Sequence, residues 1–333
     1  MAVAKTFSLW RGEPLLDIAS YARRGPAGDR LPPEQLEHVR RTVRRVPEAV
    51  VKVLPRGSND LKSAGKHLDY IGRYGELELE GDDGERLQGR IGKALLEDWD
   101  LDIDDVRRQP GLAAASGREP PKLIHKLMFS MPPGTPSDKV LAAVRNFARE
   151  EFALQHRYAF VLHTDEPHPH VHLMLKAVSE QGVRLSIKKA TLRHWRSEFA
   201  RHLRAVGVAA NSTERAVRGE SRSWKKDGIY RAHRRGESTY MQRLAEFSMN
   251  RTNSSRDPVA TGKHRLNETR EQVVYGWLRV AAELKTHGQR GLADEVRQFI
   301  AEMPSTRTDR ELAAAELPHK GPPEPKRALE QVR

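Results

Sequence analysis

Five residues able to bind a metal ion or move a proton fall within ten positions: His163, Asp165, His168, His170 and His172. They stand in the stretch Val161-Leu-His-Thr-Asp-Glu-Pro-His-Pro-His-Val-His-Leu-Met-Leu175. Side chains alternate along a strand, so His170 and His172 share one face while Val171 and Leu173 point into a core. The apolar runs 157–163 and 170–177 are six residues apart and predict a hairpin. His163 then lies opposite the pair, and three imidazoles converge. Such a set leaves coordination positions open, which marks a catalytic rather than a structural metal site. Asp165 or a backbone carbonyl would hold the second nitrogen of one ring and fix its tautomer. His168 sits in the turn between two prolines, where alternation need not hold, and is expected to contact substrate rather than the ion.

A second group lies on a helix. Leu61, Ala64, Leu68 and Ile71 are spaced as one apolar stripe, with Ser58 or Asn59 as the cap and Gly75 as the end. His67, Tyr70 and Tyr74 stand at i, i+3 and i+7, forming a neighbouring stripe that docking would place at the edge of a sheet. Taken by itself, a tyrosine beside a core stripe is ordinarily a packing residue.

The elements that must position these groups can be read in order. A first strand is expected at 49–54, a half-buried strand at 76–80, a short helix at 92–99 and a connecting loop at 106–121. Next come a strand at 122–130, a helix from Asp138 to about Ala153, the histidine hairpin, and a third short strand at 182–187. The next helix opens at Thr191 and carries Leu192, Trp195, Phe199, Leu203 and Val206 on its apolar side. Strands and helices interleave, so the class is α+β: a central antiparallel sheet flanked by helices, with a mostly helical C-terminal extension. The chain is divided into a loosely packed leader at 1–46, a nuclease domain at 47–236, a helical extension at 237–303 and a disordered tail at 304–333. Helices at 266–285 and 289–302 would form a hairpin joined at Gly288.

Composition narrows the chemistry. The chain has 333 residues and no cysteine, which excludes disulfides, Fe–S clusters, thiolate zinc sites and cysteine nucleophiles. Any metal must therefore sit on His, Asp or Glu. No run approaches the ~18 apolar residues of a membrane span, so a cytoplasmic protein without membrane insertion is expected. Lys and Arg exceed Asp and Glu by 58 − 45 = +13, a balance that suits a polyanionic partner such as DNA. Residues 155–236 supply 17 − 7 = +10 of that excess. Residues 76–105 run the other way, 3 − 12 = −9, and are expected to be a solvated acidic face. Arg193, Arg196 and Arg218, with Lys225 and Lys226, are the expected DNA contacts, and Trp224 and Tyr230 could stack unpaired bases.

The histidine segment resembles the His-rich motif of conjugative relaxases, the HUH-type nicking endonucleases. It is most similar to the mobilisation-nuclease branch that includes the T-DNA border endonuclease. The resemblance implies that His163, His170 and His172 bind a divalent ion, Mg or Mn by preference and Zn as an alternative. His67-Leu-Asp-Tyr-Ile-Gly-Arg-Tyr-Gly75 is similar to the family's Tyr-Leu-x-Arg-x-Gly segment, which makes Tyr70 the implied nucleophile. Tyr74 stands where relatives carry other residues. Lys126-Leu-Met-Phe-Ser-Met-Pro-Pro-Gly-Thr135 resembles the family's middle motif and implies that Ser130 contacts DNA near the scissile phosphate.

The resemblance also implies a transesterification. The phenol attacks a phosphodiester at a transfer origin, leaving a 5′-phosphotyrosine and a free 3′-hydroxyl, and the strand is rejoined after transfer without ATP. His67, Asp165 or the ion itself would assist loss of the phenol proton, and the sequence leaves the three open. Single-stranded and duplex origin DNA, relaxosome accessory proteins and a type IV secretion coupling protein are the implied partners. Two other readings compete: a three-histidine phosphoesterase using bound water, and a non-enzymatic DNA-binding module with a structural metal.

Overall fold

The structure, a computed structural model, describes residues 31–54, 60–107, 121–220, 235–249 and 258–308, with isolated positions at 115, 117, 229, 232, 233 and 311. The chain packs as two compact units, one holding residues 33–212 and the other residues 213 onward.

The first unit is built on a six-stranded sheet of order β1-β4-β6-β5-β2-β3, antiparallel throughout. Its strands are β1 (Val50–Val53), β2 (Leu79–Gly81), β3 (Arg86–Leu87), β4 (Ile124–Ser130), β5 (Tyr158–His163) and β6 (His170–Lys176). Alternation divides the strand side chains between two cores. On one face Val51, Leu127, Phe129, Tyr158, Phe160, Val171, Leu173 and Leu175 meet α5 (Ser137–Phe152) and α6 (Lys189–Ala205). Phe147, Phe152 and Trp195 interlock there edge to face, with ring centroids 5.4–6.5 Å apart. On the other face Ile124, Ala159, Val161 and Met174 take α2 (Leu61–Ile71), α3 (Gly92–Asp98) and the start of α4 (Leu101–Arg107). The fold is the α+β arrangement expected, in three layers.

The apolar stripe of α2 is the expected one, with Ala64, Leu68 and Ile71 buried. Its ends differ. Asp60 is the cap, its carboxylate accepting from the Ser63 amide at 2.7 Å, whereas Ser58 and Asn59 lie outside the described residues. The helix stops at Gly72, and Arg73–Gly75 form a separate tight turn. Residues 182–187 form no strand; Arg184 makes a single bridge to Val178. The run 101–107, expected to end in loop, is helical because Leu101 is fully buried under the sheet.

Two boundaries move. Residues 33–43 of the expected leader form helix α1 with His38, Val39 and Thr42 buried. Asn211 explains why: its amide donates to Thr42 and Glu48, and its backbone bonds Pro47 and Ala49, tying this segment to the first strand. At the other end the division falls after Ser212 rather than after Gly236. Residues 213–220 belong with the C-terminal hairpin of α8 (Pro258–Thr286) and α9 (Arg290–Ala301), because Trp277 Nε1 donates to the Val217 carbonyl at 2.8 Å and Arg270 donates to that of Gly219. Helix α7 (Thr239–Met249) precedes the hairpin. Residues 304–308, assigned to the tail, lie along α8, where Lys263 Nζ donates to the Thr306 carbonyl at 2.5 Å; residues 312–333 are outside the described set.

The acidic run is exposed at Glu76, Asp83, Asp100 and Asp102, as expected for a solvated face, but part of it is compensated. Arg145 forks onto Glu80 at 2.5 and 2.6 Å, and Arg157 bridges Asp82 and Asp98 at 2.8 Å each. Among the described residues no helix is long and apolar enough to cross a membrane.

Helix α3 crosses α2 at a glycine, and a Cβ on Gly92 would lie 2.7 Å from the Gly65 carbonyl oxygen and 2.9 Å from Asp69 Oδ1. Gly92→Ala should therefore force the helices apart and destabilise this unit by about 1–3 kcal/mol, read as a lower urea midpoint. Acid should destabilise it too. Burial lowers both His38 and His125 to about 4; neighbouring Arg41 adds to this for His38, while a backbone bond to Leu185 opposes it for His125. The unfolded chain takes up these protons near pH 6.5 and the folded chain only near 4, so stability is full above 6.5 and falls as pH drops between those values. Urea midpoints at pH 7.5, 6.0 and 5.0 should decline below 6.5, with stability changing by roughly 1–3 kcal/mol per pH unit.

Candidate metal centre and nucleophile helix

Register puts three of the expected residues on one rung. Ser130 pairs with His170 across β4 and β6, and His170 with His163 across β6 and β5. Directly opposed residues project to the same face, so all three point to the α2 side of the sheet, with His172 two positions farther along β6. The imidazole centroids are 4.8–5.2 Å apart, and one ring nitrogen from each lies within 4.8 Å of the others.

Backbone carbonyls orient two of the rings. His163 Nε2 donates to the Ile71 carbonyl at 2.6 Å, and His170 Nδ1 donates to the His168 carbonyl at 2.9 Å. Each bond fixes a tautomer and turns the other nitrogen toward the cluster. His172 Nδ1 is buried with no hydrogen-bond partner. Burial, then the neighbouring imidazoles, depresses His172 to about 3, and burial also lowers His163. Ring nitrogens converging within 4.8 Å are what a cation requires, so the residues fit a divalent ion. Glu150, Glu198 and His202 also gather ligand atoms, on α5 and α6. There Arg201 already donates to both carboxylates at 2.7 Å, so a guanidinium balances the charge.

Helix α2 docks on this cluster through its last turn. Ile71, whose carbonyl His163 grips, directly follows Tyr70. One turn earlier, His67 stands edge-on to His172 with centroids 6.4 Å apart. Burial, then the cationic Lys126, lowers His67 to about 4, which leaves its ring neutral at pH 7. Tyr70 itself is half exposed at 51%.

Of the two expected ring holders, Asp165 or a backbone carbonyl, the structure shows the carbonyl. Asp165 holds no imidazole; its carboxylate forms an ion pair with Arg73, in the turn just beyond Tyr70. The Arg73 guanidinium lies 5.6 Å from the Tyr70 ring centroid. Arg73 (φ 50), Tyr74 (φ 56) and Gly75 (φ 103) run consecutively in the left-handed region, at about 1–2 kcal/mol for each non-glycine. A Cβ at Gly75 would also lie 2.8 Å from Gly89 Cα, so that position is restricted twice over.

The remaining expectations divide. Ser130 is buried at the cluster, its hydroxyl making only a long 3.5 Å bond to the Met131 carbonyl. His168 serves through its backbone, its side chain turned to solvent. Arg193 and Arg196 lie on α6, across the sheet from the histidines, and are not brought to the cluster. Arg218 is in the second unit, paired with Glu220 at 3.3 Å. Lys225, Lys226, Trp224 and Tyr230 lie outside the described residues.

Two cations escape sequence reasoning. Arg73 occupies the arginine place of the Tyr-Leu-x-Arg-x-Gly pattern, which is the signal that could have found it. Lys126 projects from β4 to the histidine face with 5% of its surface exposed, and nothing in the sequence sets it apart from other strand lysines.

Comparison with known proteins bears on this arrangement. Residues 89–207 match the family described as relaxase, MobA/VirD2-like, nuclease domain. That span covers β4 to α6 with the three histidines and Ser130, and begins after Tyr70. Over 220 residues, 59% of this chain, the sequence is 24% identical to the T-DNA border endonuclease VirD2 of Rhizobium radiobacter. The match spans about half of that relative, 48% of its length. The sheet that aligns Ser130 with the three imidazoles thus lies within the span that is similar to the MobA/VirD2-like relaxase nuclease domain.

Proposed function

We propose that this relaxase nicks one DNA strand at a transfer origin through attack by Tyr70, forming a 5′-phosphotyrosine link, and rejoins the strand after transfer. The observation that carries this reading is the hydrogen bond from His163 to the Ile71 carbonyl, which joins the cluster to the residue next to the phenol. A divalent ion held by His163, His170 and His172, with Mg or Mn preferred to Zn, would offset the charge that builds on the phosphate oxygens. The protein's own groups do the rest. Ser130, on the rung beside His170, offers a hydroxyl to the phosphate. His67 is neutral and one turn before Tyr70, so it takes the phenol proton; Asp165 has its carboxylate engaged by Arg73. The phosphodiester bond that breaks is replaced by one to the Tyr70 oxygen, and the leaving 3′-hydroxyl can reverse the exchange.

Origin DNA, single-stranded at the nick and duplex beside it, is the substrate in this reading. Relaxosome accessory proteins and a type IV secretion coupling protein are its expected partners.

Single-stranded oligonucleotides tiling the intergenic DNA beside the gene, incubated with the full chain and Mn²⁺, should yield a denaturation-resistant adduct that mass spectrometry maps to Tyr70. Tyr70→Phe should reduce adduct to below about one-thousandth, as expected for loss of a nucleophile. DNA cleavage that persists in Tyr70→Phe without an adduct would instead establish hydrolysis by water.

A further inference from the structure

Tyr70 is poorly held by its own contacts. It sits in the last turn of α2, half exposed, and its hydroxyl makes no hydrogen bond among the described residues. Helix ends fray, and a phenol there would sweep a wide arc. In-line attack tolerates little of this, since about 1 Å of misplacement costs on the order of a hundredfold in rate.

Two bridges run from this helix end to the histidine hairpin, and they share a spacing. His163 binds the Ile71 carbonyl, and two residues on in each segment Asp165 pairs with Arg73. From the second bridge onward, at Arg73, Tyr74 and Gly75, the chain is bent into three successive left-handed residues, a conformation that the local sequence does not favour at Arg73 or Tyr74. The turn is closed by bonds from the Gly75 and Leu77 amides to the Gly72 carbonyl, both 3.0 Å. From this bend Arg73 reaches both the Tyr70 ring and the Asp165 carboxylate.

We propose that the Arg73–Asp165 ion pair is a latch that holds the strained turn against the hairpin and thereby sets the angle at which Tyr70 meets the cluster. Arg73 and Asp165 are positioning residues acting through Tyr70. The proposal rests on the reading of Tyr70 as nucleophile. It gives the acidic residue of the histidine motif a mechanical part, and the arginine of the tyrosine motif a partner 92 positions away. An exposed ion pair adds little stability; here its effect is on orientation, where small displacements have large kinetic consequences.

The test uses the full chain with Arg73→Met, Asp165→Asn, the double variant and Arg73→Lys. In single-turnover adduct formation at saturating oligonucleotide and Mn²⁺, each single loss should slow the reaction about ten- to a hundredfold. Oligonucleotide Kd should stay within about threefold, and the double variant should be no slower than the slower single, as for two ends of one interaction. Arg73→Lys should recover part of the rate. In the metal-free protein, amide hydrogen exchange at Gly75 and Leu77 should quicken about tenfold in both single variants while β4 is unchanged. Multiplying losses, or weakened DNA affinity in Arg73→Met with a silent Asp165→Asn, would overturn the latch and make Arg73 a phosphate contact. If the wild type forms no adduct, the nucleophile reading fails separately. The exchange experiment then still decides the latch, and unchanged Gly75 and Leu77 amides would end it.

Discussion

The hydrogen bond between His163 and the Ile71 carbonyl constrains both halves of the site at once. With Nε2 donating, the neutral ring that burial favours is confined to one tautomer, which commits its other nitrogen to the cluster. To accept, α2 must end where it does, because only an unwinding last turn leaves that carbonyl outside the helix ladder. The histidine cluster and the helix end therefore cannot be adjusted independently. Moving α2 would release the ring, and turning the ring would release the helix.

The strands and their faces are legible in the sequence because period-two alternation and burial coincide in β4, β5 and β6. The same pattern that packs Val171 and Leu173 against α5 leaves His170 and His172 on the other side. The stripe of α2 is legible for the same reason. Its ends are not, since caps and left-handed turns depend on single residues such as Asp60 and Gly72. The 182–187 segment shows the limit of reading β-propensity without partners: apolar spacing is present, but only one bridge forms. Register makes Ser130 part of the site, and no inspection of one strand at a time could do so.

Charge is the least reliable guide to position. Net basicity in 155–236 suggests one DNA-facing surface, yet its members are spread over α6, the hairpin unit and undescribed residues. Counting charge along a chain says nothing about which side of a sheet it reaches. On α6 much of it is consumed locally, as Arg201 shows with Glu150 and Glu198. The acidic run tells the same story in reverse, with Glu80 and Asp82 drawn to Arg145 and Arg157 rather than left in water. Cations that do share a layer with the histidines, Arg73 and Lys126, come from segments with no marked excess.

The rung that holds Ser130, His170 and His163 does not end at Ser130. Val50 of β1 is the next member, directly opposed to Ser130 and on the same face. The row of polar side chains thus stops one strand short of the sheet edge, and an apolar residue of β1 walls it off on that side.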